Sequence, residues 1–334
     1  MQMKKITYKK VKARLWAEFV TRMRNLRLYP MIYRSYWHYR LKGGRAAGDM
    51  SQLYYSARPH LEAGIGHQMA NWIAGYFYAR EFGLKFAHLP FSTKKWEDFL
   101  GFGEDEVTVA ELKQKGWKIR KLPRFKYNSE IEKELNRRII ASYAGRKVAF
   151  VAEQDQYYDS HLDAMDVFQR KFRSARARKG ERVVYDPSCF NIAIHVRRGD
   201  IMDPKYPQLR NRVLSNGYYE RVLAGVVAHV PSEKPVEIYF FSQGNRQQFP
   251  EFEHFEHLHW CFEMDEQATF LHMVKADLLI MSRSAFSYYP AFFNRIIMIC
   301  PPKFWHDYPD APEWIVCAED GSFDVAKLEK LKEK

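Results

Sequence analysis

The stretch Phe190-Asn191-Ile192-Ala193-Ile194-His195-Val196-Arg197-Arg198-Gly199-Asp200 decides how this chain is read. Its first seven residues form a short, mostly apolar run with β-branched side chains. That pattern predicts a strand buried on both faces, as in a parallel sheet. Similar runs recur at Val236–Phe241, Asp277–Met281 and Ile296–Cys300. Helical patterns lie between them, over Gly217–His229, Glu266–Lys275 and Ser284–Asn294. Short strands alternating with helices argue for βαβ units, hence an α/β fold. In such sheets ligands sit at the carboxyl ends of the strands. The polar residues that follow each strand are therefore the candidates for chemistry.

After the first strand, Arg197 and Arg198 stand beside Gly199 and Asp200. A guanidinium presents a planar fork of donors that matches a phosphate. Gly199 permits a sharp turn, and Asp200 can hold one guanidinium in place. Positive charge here would stabilise a diphosphate leaving a sugar. The same residues can also be read as an Arg–Asp pair that only caps the strand. After the third run comes Ser282-Arg283-Ser284-Ala285-Phe286-Ser287. Its hydroxyls can cap the next helix, or its free amides can hold a phosphate. The second run ends in Ser242-Gln243-Gly244-Asn245, a polar loop suited to a nucleoside.

The first half is less regular. Gly64-Ile65-Gly66-His67-Gln68 precedes a helical pattern through Met69, Trp72, Ile73, Tyr76 and Phe77, with Gly83 as its stop. Close glycines allow a tight turn or a close approach. A helix is predicted over Ser129–Tyr143, a buried strand over Lys147–Val151 and another helix over His161–Phe172. Residues 170–182 carry seven Lys/Arg and one Glu and read as a solvated linker, with a domain boundary near Asp186-Pro187.

The chain has 334 residues, 46% of them hydrophobic, enough for two domains with a sizeable core. A disordered or collagen-like chain is excluded. No apolar run is long enough to cross a membrane, and Met1–Lys5 lacks the apolar core of a signal peptide. Four scattered cysteines form no C-x-x-C, so no zinc site or disulfide framework is readable, and a reducing, cytoplasmic setting is expected. The formal net charge is +13. Residues 1–50 hold thirteen Lys/Arg against Glu18 and Asp49, interleaved with Trp16, Phe19, Tyr29, Tyr33, Tyr36, Trp37 and Tyr39. Such a segment suits an anionic membrane surface, for which residues 1–45 are the candidate. It can also be read as an extension packed on the body through its aromatics. Nucleic acid is the least favoured partner.

Taken in order, the motifs resemble those of the GDP-fucose-dependent fucosyltransferase superfamily, most closely the α1,2-fucosyltransferases. Gly64-Ile65-Gly66-His67-Gln68 is similar to their Gly-x-Gly-Asn-Gln, and Glu153–Tyr158 to a degraded Gly-Tyr-Phe-Gln-Ser segment. His195–Asp200 matches their His-x-Arg-Arg-Gly-Asp. Tyr218-Tyr219 falls where a Tyr-Tyr pair is usual. Phe241-Ser242 begins their Phe-Ser-Asp-Asp, with Gln243-Gly244 in place of the acids. Ser284–Tyr289 is similar to Ser-Ser-Phe-Ser-Trp-Trp. The resemblance spans about residues 60–300. It implies a GT-B-like fold, two Rossmann-like domains facing a cleft, and an inverting transfer without an essential metal.

By this resemblance Arg197, His195 and Asp200 are the catalytic candidates. Arg198, Gly64, Gly66, His67, Gln68, Ser242, Gln243, Ser282, Ser284, Ala285 and Phe286 are the donor-binding ones. The domains expected are a basic segment (1–50), an acceptor-side domain (51–185), a nucleotide-sugar domain (186–310) and a tail helix (311–334). GDP-fucose is the expected donor and a glycan hydroxyl the expected acceptor, with no cofactor. No Asp-x-Asp triplet occurs. No general base declares itself; Glu62, His67, Asp155 and Asp203 are candidates, and a diphosphate that takes the proton needs none. The rival readings are a transferase using another nucleotide sugar, and a non-catalytic basic protein that binds membrane or nucleic acid.

Overall fold

The described strands form two sheets, and every pairing in them is parallel. The computed structural model describes residues 8–42, 48–60, 63–152, 165–230, 232–302, 304 and 306–333. The first sheet holds β1 (Leu53–Ala57), β2 (Lys85–Phe86), β3 (Lys118–Leu122) and β4 (Val148–Ala152), in the order β2-β1-β4-β3. The second holds β5 (Phe190–Val196), β6 (Val236–Ser242), β7 (Leu258–Trp260), β8 (Leu278–Ile280), β9 (Ile297–Cys300) and β10 (Trp314–Val316), in the order β10-β9-β8-β5-β6-β7. The α/β class read from the sequence is therefore the one observed, with two parallel sheets.

The chain divides into two units around these sheets. The first comprises residues 1–60, 69–90 and 105–157, the second 61–68, 91–104 and 158–334. The expected division at 51–185 and 186–310 is thus too simple. Among the described residues, 63–68, 91–104 and 165–185 belong with the second unit. The tail is a further correction. Residues 311–334 do not form a single helix: Trp314–Val316 joins the sheet as β10, and only Val325–Glu329 is α-helical. The aromatic and β-branched run Trp314-Ile315-Val316, its first two residues buried, suits a strand better than a helix.

All seven residues of β5 are buried. Phe190, Ile192, Ile194 and Val196 point to one face, into a core with Val222, Ile238, Phe240 and Leu278. Each such aliphatic side chain contributes about 1.5–3 kcal/mol. The helix Asn216–Ala228 covers that face through Tyr218, Tyr219, Val222, Leu223 and Val226, with Ser215 accepting from the Tyr218 amide at its start. His195 belongs to the alternate set, two residues on from Ala193. The predicted helix over Ser284–Asn294 is two short ones, Ala285–Tyr288 and Pro290–Phe293. Pro290 has no amide hydrogen to continue the first.

In the first unit the described core of the basic segment packs on the body. Tyr29 and Tyr33 are buried and edge-on at 5.5 Å. The Tyr29 hydroxyl accepts from the Arg124 amide (2.8 Å), and Ser35 Oγ donates to the Lys121 carbonyl (2.6 Å). Lys121 stands 4.1 Å over the Trp16 ring. The packed-extension reading holds for residues 16–38. Phe19, Leu26, Leu28, Met31 and Trp37 remain exposed. No described helix is long and apolar enough to cross a membrane.

Candidate active site

The order β7-β6-β5-β8-β9-β10 runs outward in both directions from the β5/β8 pair. It is the doubly wound order, and its crevice lies where the winding reverses, outside the carboxyl ends of β5 and β8. Two of the sequence-predicted loops, Arg197–Asp200 and Ser282–Ser287, leave those strands.

They are joined by direct bonds. Arg197 Nη1 donates to Ser284 Oγ at 3.1 Å. Arg197 Nη2 donates to both carboxylate oxygens of Asp200, at 2.8 and 3.0 Å. The guanidinium is 27% exposed, and its Nε is buried with no partner among the described residues. Both terminal nitrogens are oriented, and the guanidinium stays part-exposed at the crevice. Asp200 thus acts as a clamp on Arg197.

Arg198 turns elsewhere. It donates to the carbonyls of Arg197 (2.8 Å) and Leu214 (3.1 Å) and to Asn216 Oδ1 (2.6 Å), and it lies 5.8 Å from the Phe249 ring centre. Burial lowers its pKa. It fastens the loop to the helix Asn216–Ala228. Asn216 escaped the sequence reading; its only signal was its place just after the Ser215 cap.

His195 is 8% exposed, and its Nδ1 lies 2.8 Å from Ser282 Oγ. Ser282 Oγ is in turn 3.2 Å from Ser287 Oγ, and the Ser282 amide donates to the same hydroxyl. Burial first, and then the charge of Arg197, push the His195 pKa down to about 3. A neutral, enclosed imidazole ties β5 to the β8 loop. Ser287 completes this tie. It could have been found as the last hydroxyl of the Ser-x-Ser-x-x-Ser run.

Ser284 caps Ala285–Tyr288, accepting from the Phe286 amide at 3.2 Å. The Phe286 ring packs against His195 (5.6 Å), Phe270 (5.5 Å) and Trp96 (6.3 Å). Arg283, also missed, braces the loop through the Pro302 and Asn211 carbonyls and Glu319.

The glycine motif reaches the same place. The helix begins at Ile65, so Gly66 lies in its first turn instead of in a preceding loop. A Cβ on Gly66 would stand 2.6 Å from Ala285 Cβ and 2.9 Å from its carbonyl carbon. Only glycine lets these two backbones meet. Among the described residues, nothing lies within 4 Å of where a Gly64 Cβ would stand. Gln68 is buried and spent on structure, its amide bonded to the Ala63 carbonyl and to Ser92. His67 is half-buried beside them.

Ser242 Oγ donates to the Val196 carbonyl at 2.7 Å, joining the ends of β5 and β6. Gln243 lies over Gly199, whose φ of +72° only glycine adopts without strain. Glu62, Asp155 and the Glu153–Tyr158 segment fall outside the described residues. The histidines near β7 pair with carboxylates, His259 and His257 with Glu237 and His254 with Glu220.

No family model and no curated protein matches the chain. Among solved structures it is similar to POFUT1 in complex with GDP, at 13% identity over 75% of this chain and 97% of that chain, with a TM-score of 0.46. POFUT1 in complex with GDP-fucose matches at 11% identity over 75% and 97%, with a TM-score of 0.41. The E. coli heptosyltransferase WaaC with ADP-2-deoxy-2-fluoro heptose matches at 8% identity over 84% and 96%, with a TM-score of 0.37.

Proposed function

We propose that this protein is a glycosyltransferase of GT-B type whose second unit binds a nucleoside-diphosphate sugar. The observation that carries the reading is Arg197 at the β5/β8 crevice, clamped by Asp200 and Ser284 with its guanidinium part-exposed. The donor is GDP-fucose, and transfer is to a glycan hydroxyl, α1,2-like and inverting; the motif order from Gly64 to Tyr289 supports this. Arg197 holds the diphosphate. As the bond from the sugar anomeric carbon to the diphosphate oxygen breaks, charge grows on that oxygen, and the guanidinium stabilises it. The acceptor oxygen bonds to the anomeric carbon, and its proton passes to the departing diphosphate. His195, Arg198 and Ser242 position the loops, Gly66 admits the first helical turn beside Ala285, and no metal is required. The exposed Leu26, Leu28 and Met31 beside Arg24 and Arg27 support contact with an anionic membrane surface.

Thermal-shift titration with GDP and UDP tests the donor. Free ligand at a hundred times its Kd should add about 2.7 kcal/mol of stability. A shift with GDP and none with UDP is expected. Equal shifts would remove the fucosyl assignment. Turnover that EDTA abolishes and Mn²⁺ restores would remove the metal-free one.

A further inference from the structure

We infer that the first unit carries a second anion site, for a phosphate-bearing ligand, in a basic cavity at the amino ends of β3 and β4. The cavity holds about 590 Å³. Six of its lining residues are cations: Arg34, Lys42, Lys118, Arg120, Arg146 and Lys147. None of its lining residues is acidic. All of them belong to the first unit, whereas Arg197 and its partners belong to the second.

The arrangement differs from that of the cations on the helix Glu130–Ala141. Lys133, Arg137 and Arg138 all pair with Glu81, Glu130 or Glu134. Among the described residues, no carboxylate lies within ion-pair distance of Arg34, Lys42, Lys118, Arg120 or Arg146. Like charges gathered in a concavity repel one another, and the field they focus raises the local anion concentration. A bound polyanion would offset that repulsion.

The cavity floor is built. Tyr143 is 3% exposed, and the His38 ring stacks on it at 3.8 Å. His38 Nδ1 bonds with Ser142 Oγ at 3.1 Å, while its Nε2 is buried with no partner among the described residues. Burial, followed by Arg146, Lys42 and Arg120, holds the His38 pKa below its ordinary value. Three separate cations therefore already act on one ring. Arg34 and Arg120 supply forked donors suited to phosphate oxygens. At the rim Trp37 is 44% exposed and Leu41 77%. They offer an apolar surface to whatever carries the phosphate. That carrier is either a soluble phosphorylated compound or a lipid headgroup; the recognising chemistry is shared.

The test uses the full chain and a triple variant, Lys42→Ala/Lys118→Ala/Arg146→Ala, whose three positions are exposed. Inorganic pyrophosphate is titrated calorimetrically, with sulfate at matched ionic strength as reference. GDP is titrated separately. One class of pyrophosphate sites should weaken at least about tenfold in the triple variant. GDP binding should be unchanged. A second variant, Lys133→Ala/Arg137→Ala/Arg138→Ala, removes equal charge from paired positions and should keep pyrophosphate affinity.

Vesicles of phosphatidylcholine with phosphatidic acid, against the same vesicles charged with phosphatidylserine, separate the sources. An excess of binding to phosphatidic acid that the triple variant loses identifies a lipid headgroup. Loss of soluble binding alone identifies a soluble phosphate. Equal weakening by both variants would show a net-charge effect and overturn the site, as would pyrophosphate binding no tighter than sulfate. If GDP fails to bind while pyrophosphate behaves as expected, the transferase reading falls and this site stands.

Discussion

Arg197 and Ser284 meet across the crevice between β5 and β8, with Nη1 donating to Oγ at 3.1 Å. The residues are 87 positions apart, and each follows the strand that its neighbour's strand pairs with in parallel. A cation and a helix-capping hydroxyl are thereby held at one point, with Asp200 fixing the other side of the guanidinium.

Arg197→Lys should nearly abolish turnover while the fold survives. Lysine keeps the charge but lacks the planar fork that holds Asp200 and Ser284 in this geometry and matches a phosphate bidentately. A hydrogen bond to a charged group is worth about 1.5–3 kcal/mol, or roughly 10- to 150-fold. If the contact tightens as the sugar leaves, kcat falls more than KM rises. Steady-state kinetics with a melting curve checks this. An enzyme within about threefold of wild type would place the diphosphate elsewhere.

Gly199→Ala should destabilise the protein by about 1–2 kcal/mol, the usual penalty for a left-handed conformation in a residue with a Cβ. The new methyl would also run into the Gln243 side chain. Adding Gln243→Ala removes the collision but leaves φ at +72°. Urea denaturation should therefore show the loss persisting in the double variant. Full recovery there would mean that the backbone term is negligible.

Stability should fall as the solution is acidified below pH 6.5, partly because of His195. Its folded pKa is lowered from 6.5 to about 3, so the unfolded chain takes up a proton that the folded chain refuses. The contribution is complete above pH 6.5 and is lost as pH falls toward 3, by about 1.4 kcal/mol per unit. His306 and His272 are shifted in the same direction, so the informative quantity is the difference from His195→Gln. The slope should be shallower in the variant. Identical slopes would mean that His195 titrates freely.

Tyr29→Phe should weaken the first unit by about 1–3 kcal/mol. The hydroxyl accepts from the Arg124 amide and bonds with the Tyr33 hydroxyl at 2.9 Å, and removing it deletes both bonds. A soluble extension would tolerate the change without effect. Differential scanning calorimetry decides between them.

Much of the second unit was legible from local pattern. Strand β5 has the bounds read from the sequence, and so does the helix Glu266–Lys275, because burial on both faces and helical periodicity are written residue by residue. Residues 311–334 were misread because a three-residue edge strand carries little periodic signal. The aromatics of residues 16–38 were legible as a choice between packing and exposure, and the choice depended on partners such as Arg124 and Lys121.

The α/β class, the strand–polar loop alternation and the identity of the residues at the strand ends are written locally along the chain. Which loops are neighbours emerges with the folded sheet. Strand order is a long-range pairing, and nothing in β5 or β8 alone says that they are adjacent. The tertiary structure also divided the two arginines, leaving Arg197 part-exposed at the crevice while turning Arg198 to the Leu214 carbonyl and Asn216. Adjacent residues on an extended chain point opposite ways, and what each one meets is set by strands and helices far away in sequence.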